Sequence, residues 1–405
     1  MLKSYTREFH LTIEGRRTMI STTMSAFPRQ IVVAAIGLSA AACGDSTGAL
    51  RLTNLCAQAT WAGIQREGEP WQSIPASRSA VPLRAGERIG LARIRGDSLQ
   101  IFYVTAEQAE AGFTCEAPPT KELHGIVQGI GGQFTSTATI VMGNSVAFAA
   151  AQGLEDFTLR RAPNGPADLV ATAFDVGPKT IIRRGVDYPD GSTMPVLDFA
   201  SSEGFAQQTN TVTVIGTNNV DWSATSEVVT QRGTQGVLRY SSTNTGTTLP
   251  MYSVPESRLL AGELNSLSVT GAFARVATVF YRAPSDRTVQ LGPPTSRPII
   301  TRTGTSPNQT LHIDAASQPE YGTQITLMLC TPAPLAVAIT IIATKEYFGG
   351  TPATWSFDVP DLLSVPGYPS FWPDPRQSGV CGVIVTDRPY LSSPHDGDTF
   401  RSAQG

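Results

Sequence analysis

Residues 99–105 read Leu-Gln-Ile-Phe-Tyr-Val-Thr, a short alternating run of β-branched and aromatic side chains just after the turn sequence Arg95-Gly96-Asp97. A run of this kind, bounded by turn residues, reads as a strand. The pattern recurs as Thr-Ala-Thr-Ile-Val-Met at 137–142, Thr-Val-Thr-Val-Ile at 211–215 and Ala-Thr-Val-Phe-Tyr at 277–281. Residues 335–344, Leu-Ala-Val-Ala-Ile-Thr-Ile-Ile-Ala-Thr, repeat it once more. With 37 Gly and 29 Pro between such runs, the chain is predicted to be all-β, a tandem of β-sandwiches. Helices are expected to be few. Thr105-Ala106-Glu107-Gln108 has the form of a capping box, and residues 255–261 form a second short candidate stopped by Gly262.

Proline-rich joints at Pro118-Pro119 and from Pro293-Pro294 to Pro298 suggest where the sandwiches divide. The expected organisation is a removable leader over 1–42, a polar tether over 43–49 and a disulfide-bearing sandwich over 50–117. A second sandwich over 118–205, a β domain over 206–292 and a C-terminal disulfide-bearing sandwich over 293–392 follow, then a polar tail over 393–405.

In the second segment, Gly125-Ile126-Val127-Gln128-Gly129 is followed by Phe157-Thr158-Leu159, Pro163-Asn164-Gly165 and Leu169-Val170-Ala171. Phe157 and Leu159 share one face of a strand, Pro163 to Pro166 make a tight turn, and Leu169 and Ala171 share a face of the returning strand. These residues resemble the carboxypeptidase-regulatory, or transthyretin-like, β-sandwich module over about 55 positions. They depart from it where Ala167 and Asp168 follow the turn in place of an aromatic. The resemblance implies Ig-like or transthyretin-like sandwiches that space or present other domains, and it implies no chemistry.

Ile31 to Ala42 read IVVAAIGLSAAA and run into Cys43, followed by Gly-Asp-Ser-Thr-Gly. A membrane-spanning helix needs about 20 apolar residues, so this run fits the core of a signal peptide, with Arg29 as its positive flank. It resembles a bacterial lipoprotein signal, which implies acylation of Cys43 and a membrane partner reached through that lipid. Ala40 stands where such signals usually carry Leu, and the same alanines fit Ala-x-Ala cleavage that leaves Cys43 a free thiol. Gly44 after the cysteine points to an outer-membrane, periplasmic or cell-surface destination. Translation is expected to begin at Met24, and the basic residues before Cys43, with His10, belong to the leader.

Without Lys3, Arg7, Arg16, Arg17 and Arg29, and without Glu8 and Glu14, 25 basic residues face 31 acidic ones. Nucleic-acid binding calls for a clustered basic face, and this mildly acidic composition without basic runs excludes it. Five cysteines are an odd number, which an exported protein must account for. With Cys43 lipidated, Cys56, Cys115, Cys330 and Cys381 remain. Three pairings exist in principle, and spacing favours Cys56 with Cys115 and Cys330 with Cys381. Zinc is the rival use of these thiols, but there is no Cys-x-x-Cys and no nearby His. No metal or other cofactor is expected.

Catalytic signatures are sparse. His124, His312 and His395 lie in different segments with no Gly-x-Ser-x-Gly elbow beside them, so His124 and His312 read as half-exposed strand residues and His395 as a solvated one. Asp187, Asp190 and Ser192 share a turn, yet calcium takes six to eight oxygens, and a polar hairpin is the better reading. Arg95-Gly96-Asp97 reads as a hairpin turn and Gly129-Ile130-Gly131-Gly132 as a strand-ending one.

Residues 365–375, Val-Pro-Gly-Tyr-Pro-Ser-Phe-Trp-Pro-Asp-Pro, hold three aromatics on a proline-stiffened loop. Tyr368, Phe371 and Trp372 either present a platform for a sugar face or a partner, or fold inward to plug the last sandwich. The expected function is therefore a lipid-anchored cell-envelope protein, a non-enzymatic binding or structural module whose partner is a glycan or another envelope protein. The alternative is a carbohydrate-binding or carbohydrate-active lipoprotein that uses this loop.

Overall fold

A computed structural model describes residues 50–51, 59–75, 81–112, 119–130, 137–150, 155–174, 177–216, 221–243, 246–305, 309–331, 337–388 and 393–405. The leader, the tether with Cys43, both Cys56 and Cys115 with their expected pairing, and Gly131-Gly132 lie outside these residues. The protein is nearly all β, as the short alternating runs predict. Among the described residues the α-helix is Ala106–Gly112, opened by the Thr105 backbone N–H donating to Gln108 Oε1 at 3.1 Å, the backward half of the capping box. The helix expected over 255–261 shrinks to one 3-10 turn, Glu256–Arg258, before Gly262 at φ +81°.

A 12-stranded sheet organises the molecule. Its order is Gln235–Thr243, Trp222–Val229, Leu264–Gly271, Arg275–Tyr281, Thr399–Gln404, Gly379–Thr386, Gln324–Cys330, Ala338–Thr344, Ser98–Thr105, Arg88–Arg95, Ala59–Arg66 and Gln72–Ser73. Neighbours are antiparallel except Ser98–Thr105 and Ala338–Thr344, which run parallel with Leu99 beside Ile339 and Ile101 beside Ile341.

The segments 50–117 and 293–392, expected as separate sandwiches, are thereby joined in one sheet and one core. The cause lies in the first strands. Along Arg88–Arg95 and Ser98–Thr105 nearly every central position is buried, which requires cover on both faces. Ala92, Ile94, Leu99, Ile101 and Tyr103 face a core shared with Leu311, Ile313, Ile341, Trp355 and Val385, roofed by the sheet of Ile299–Thr303, Thr310–Ala316 and Thr354–Asp358. Ile89, Leu91, Phe102 and Val104 face the opposite way, towards Val81, Leu83 and helix residues Ala106 and Ala109. Segment 50–117 has too few strands to supply both covers itself.

Residues 393–405, expected as a polar tail, hold a central strand. Thr399–Gln404 pairs with Val276–Val279 on one side and Ile384–Thr386 on the other, and Ala403 is buried in the large core. The composition Thr-Phe-Arg-Ser-Ala-Gln hid it, because only Phe400 and Ala403 are apolar.

The other end of the long sheet is covered by Gln208–Ile215, Thr248–Ser253 and Arg287–Gln290, over a core that includes Val212, Trp222, Val269 and Tyr281. Segment 118–205 closes its own core. Glu155–Pro163, Thr120–Gln128 and Leu197–Asp198 form one sheet; Phe205–Ala206, Lys179–Val186, Ala167–Ala173, Thr137–Met142 and Ser145–Ala150 form the other. Phe157 and Leu159 point into this core with Leu169 and Ala171, as the alternation predicts. The Phe157 ring lies over its cross-strand partner Gly125, where an added Cβ would stand 2.4 Å from Cζ.

Two buried carboxylates fasten this sandwich to the next. Asp168 accepts from the Gly185 N–H at 2.7 Å and from Arg232 Nη1 at 3.1 Å. Glu263 takes Arg184 in a two-pronged grip at 2.8 and 2.7 Å. Around them Val170, Val228, Leu238, Val254 and Leu259 form a small apolar seam. Gly236 allows its closest approach, since a Cβ there would meet Val170 Cγ1 at 2.2 Å.

Candidate functional site

Chemistry-bearing side chains gather most closely on the outer face of the three-stranded roof. Thr310–Ala316 and Thr354–Asp358 alternate, with Leu311, Ile313, Trp355 and Phe357 facing the core. Their antiparallel register sets His312 beside Asp358 and Asp314 beside Ser356, so all four polar residues project outwards.

The distances are those of a nucleophile, base and acid. Ser356 Oγ lies 3.1 Å from His312 Nε2, and His312 Nδ1 lies 2.7 Å from Asp358 Oδ1. A second carboxylate changes what this can do. Asp314 Oδ1 accepts the Ser356 hydroxyl at 2.6 Å and lies 3.2 Å from His312 Nε2. The hydrogen bond to Asp358 chiefly, with the charge of Asp314 added, holds the imidazole above its ordinary 6.5 against the opposing effect of burial. The Ser356 hydroxyl and the facing imidazolium keep the Asp314 carboxyl below its usual value. Asp314 takes the Ser356 hydroxyl, and a protonated His312 that donates to both carboxylates has no lone pair with which to take a proton from Ser356. A serine hydrolase needs that lone pair. The cluster is a cross-strand ionic clasp on an open sheet face.

Its pH dependence follows from those directions. His312 stabilises the fold in full below its unfolded value near 6.5, and this is lost as pH rises through the raised folded value. Asp314 stabilises above its unfolded value near 3.9, and this is lost as pH falls through the depressed folded one. The clasp is complete between the two folded values, and solvent screening at these half-exposed side chains keeps its contribution to stability small. In an NMR titration His312 should titrate above 6.5 and return towards it in Asp358→Asn. A midpoint at or below 6.5 in the unmutated protein would refute the clasp.

The aromatic loop divides. Tyr368 and Trp372 are each only 8 % exposed and belong to the large core, with Tyr368 edge-on to Trp61 at 5.0 Å and its hydroxyl donating to the Pro373 carbonyl at 3.2 Å. Phe371 is 73 % exposed. The three rings therefore form no common platform. Tyr368 and Trp372, named as candidate ligand-binding residues, are instead part of the large core, with the Tyr368 ring packed on Trp61. The inward turn is fixed by a buried ion pair, Arg376 Nη2 with Asp374 Oδ2 at 2.9 Å.

Other sequence candidates take structural places. His124 is half-exposed, with Nδ1 3.2 Å from Thr158 Oγ1, and His395 is exposed. Asp187 pairs with buried Lys121 at 2.6 Å, while Asp190 accepts the Glu122 N–H at 2.8 Å, so both carboxylates of that turn serve protein donors. Arg95-Gly96-Asp97 forms the hairpin turn between two strands, with Gly96 at φ +55°. Glu227 lies largely buried on the long sheet, where burial raises its carboxyl and a 3.5 Å contact with Ser266 Oγ offsets part of the rise.

The expected Cys330–Cys381 disulfide is formed, with Cα atoms 5.7 Å apart. It spans the adjacent strands Gln324–Cys330 and Gly379–Thr386, and Cys381 is the extra residue of a bulge, since Met328 pairs with Gly382 but Leu329 with Val380. Both cysteines are exposed. What sequence reading missed was the partnership of His312 with Asp314, Ser356 and Asp358. Its one available signal was the matched alternation of Leu-His-Ile-Asp at 311–314 and Trp-Ser-Phe-Asp at 355–358.

No protein-family model matches the chain, and no curated protein matches it. Among solved structures, the Bacillus anthracis TIE protein is aligned at 9 % identity with a TM-score of 0.16, covering 74 % of this chain and 59 % of that one. The chain thus spans less than two thirds of that protein's length, and a likeness this weak carries no argument about fold or function.

Proposed function

We propose that the protein is an exported, lipid-anchored component of the cell envelope that acts by binding and presentation, with no catalytic step of its own. The observation that carries this reading is the apolar run Ile31–Ala42 ending in small residues at Cys43. The surface disulfide Cys330–Cys381 supports it, because such bonds persist in oxidising compartments. The His312 clasp fits a non-catalytic reading, since Asp314 holds the Ser356 hydroxyl that a hydrolase would have to activate. The sandwich over 118–205, with its resemblance to transthyretin-like modules, is the presenting element, and residues 44–48 are the leash.

Acylation is tested by mass spectrometry of the amino-terminal peptide from the native membrane fraction, with Cys43→Ser as the control. The expected result is a terminus that begins at Cys43 and carries acyl chains, and a variant released from the membrane, because stable anchoring needs two lipid signals or more. An unmodified Cys43, or a protein retained in the cytoplasm, would overturn the proposal.

A further inference from the structure

Sheet edges are sites of unwanted pairing, and proteins guard them with short strands, charges, prolines or bulges. Several outer strands here have only two residues. Thr248–Ser253 contains Pro250, Gln235–Thr243 is bulged and carries Arg239, and Arg287–Gln290 begins with Arg287. Ile299–Thr303 carries Arg302, Thr354–Asp358 ends in Asp358, and Glu155–Pro163 sets Arg160 and Arg161 on a bulge. Among the described residues, Ser145–Ala150, with Glu155–Pro163 packed close beside it, alone carries none of these guards in its own sequence. It is six residues long, uncharged and in unbroken register with Thr137–Met142. It shows Val146 at 50 % and Phe148 at 75 % exposure.

We infer that this edge pairs with the same edge of a second copy, antiparallel about a two-fold axis, so that two five-stranded sheets become one. The charges beside it select this occupant. Glu155–Pro163 borders the same side of the sandwich, and the Arg161 N–H donates to Ser145 Oγ at 3.3 Å, which fixes Arg160 and Arg161 at the Ser145 end. Asp156 lies at the Ala150 end, six residues along the chain. Asp156, Arg160 and Arg161 are exposed and have no ionic partner among the described residues. An antiparallel two-fold brings the basic end of each copy to the acidic end of the other, twice over. A parallel or head-to-tail arrangement repeats only one such contact or sets like charges together. Phe148 can then face its symmetry mate across the axis, a favourable cross-strand pair.

One pair of six-residue strands buries far less than the roughly 1,200 Å² of a stable interface, so the association is weak in solution and grows when copies share a surface. Sedimentation velocity of the full chain carrying Cys43→Ser, which can hold no acyl chain, tests it up to about 100 µM, the range of a weak complex. The expected result is a monomer–dimer equilibrium that Phe148→Lys weakens by at least about tenfold, with circular dichroism and melting unchanged because the ring is exposed. Phe371→Lys, at another exposed aromatic, should leave the equilibrium as it is. A monomer at all concentrations, a dimer that survives Phe148→Lys, or an equal loss in Phe371→Lys would each overturn the inference.

Discussion

Deleting residues 393–405 is expected to replace one cooperative unfolding transition with two and to leave the lower-melting part prone to aggregation. Thr399–Gln404 is the strand by which four strands from 222–281 and seven from 59–105 and 324–386 become one sheet. Beyond the ladder, Gly405 exchanges two backbone hydrogen bonds with Val383 at 2.9 and 3.0 Å, Arg401 pairs with Asp387, and Ala403 fills the large core. Each net hydrogen bond contributes about 1 kcal/mol, so the loss comes to several kcal/mol at one joint. It also bares the edges of Arg275–Tyr281 and Gly379–Thr386, both rich in Val and Ile or aromatic residues. A point variant separates the two effects. Ala403→Asp keeps the strand but buries an unpaired charge, at about 3 kcal/mol or more. Differential scanning calorimetry reads both, and a single unshifted transition after the deletion would show that the strand joins nothing.

The second large effect is that of the disulfide. Closing a loop with a sequence separation of 51 restricts the unfolded chain by about 4 kcal/mol in the entropy estimate, an upper figure because native strain subtracts from it. Cys330→Ser with Cys381→Ser should therefore lower the urea midpoint strongly, and reductant should lower that of the unmutated protein at least as far. Because both sulfurs sit on an exposed sheet face, that reduction should proceed without denaturant. A midpoint unchanged by either treatment would show that the bond adds nothing to stability.

How far the sequence could be read depended on the range of the interaction. Local signals were sound: alternation found strands such as Ser98–Thr105 and Ala338–Thr344, Thr105 and Gln108 found the helix start, and the 330/381 spacing found the disulfide. Pairings between distant segments were not legible. Leu99 lies beside Ile339 in parallel register, and nothing in either segment names the other. His312 and Asp358, 46 residues apart, meet only because their two strands align in one of several registers that would bury the same apolar face. The inward turn of Tyr368 and Trp372 was one of two readings open at the level of composition. It was decided by packing against residues far away in the sequence, such as Trp61 against Tyr368.

The parallel junction of Ser98–Thr105 with Ala338–Thr344 has a consequence for biosynthesis. The chain is made, and threaded through any export channel, from its amino terminus, so the early strands emerge more than 200 residues before their neighbour. At about 5–20 residues per second they wait on the order of 10–50 s, while the two intervening modules have all their own strands and can mature first. Whatever shields nascent polypeptide in that interval therefore matters more to the earliest-made strands than to anything synthesised after them.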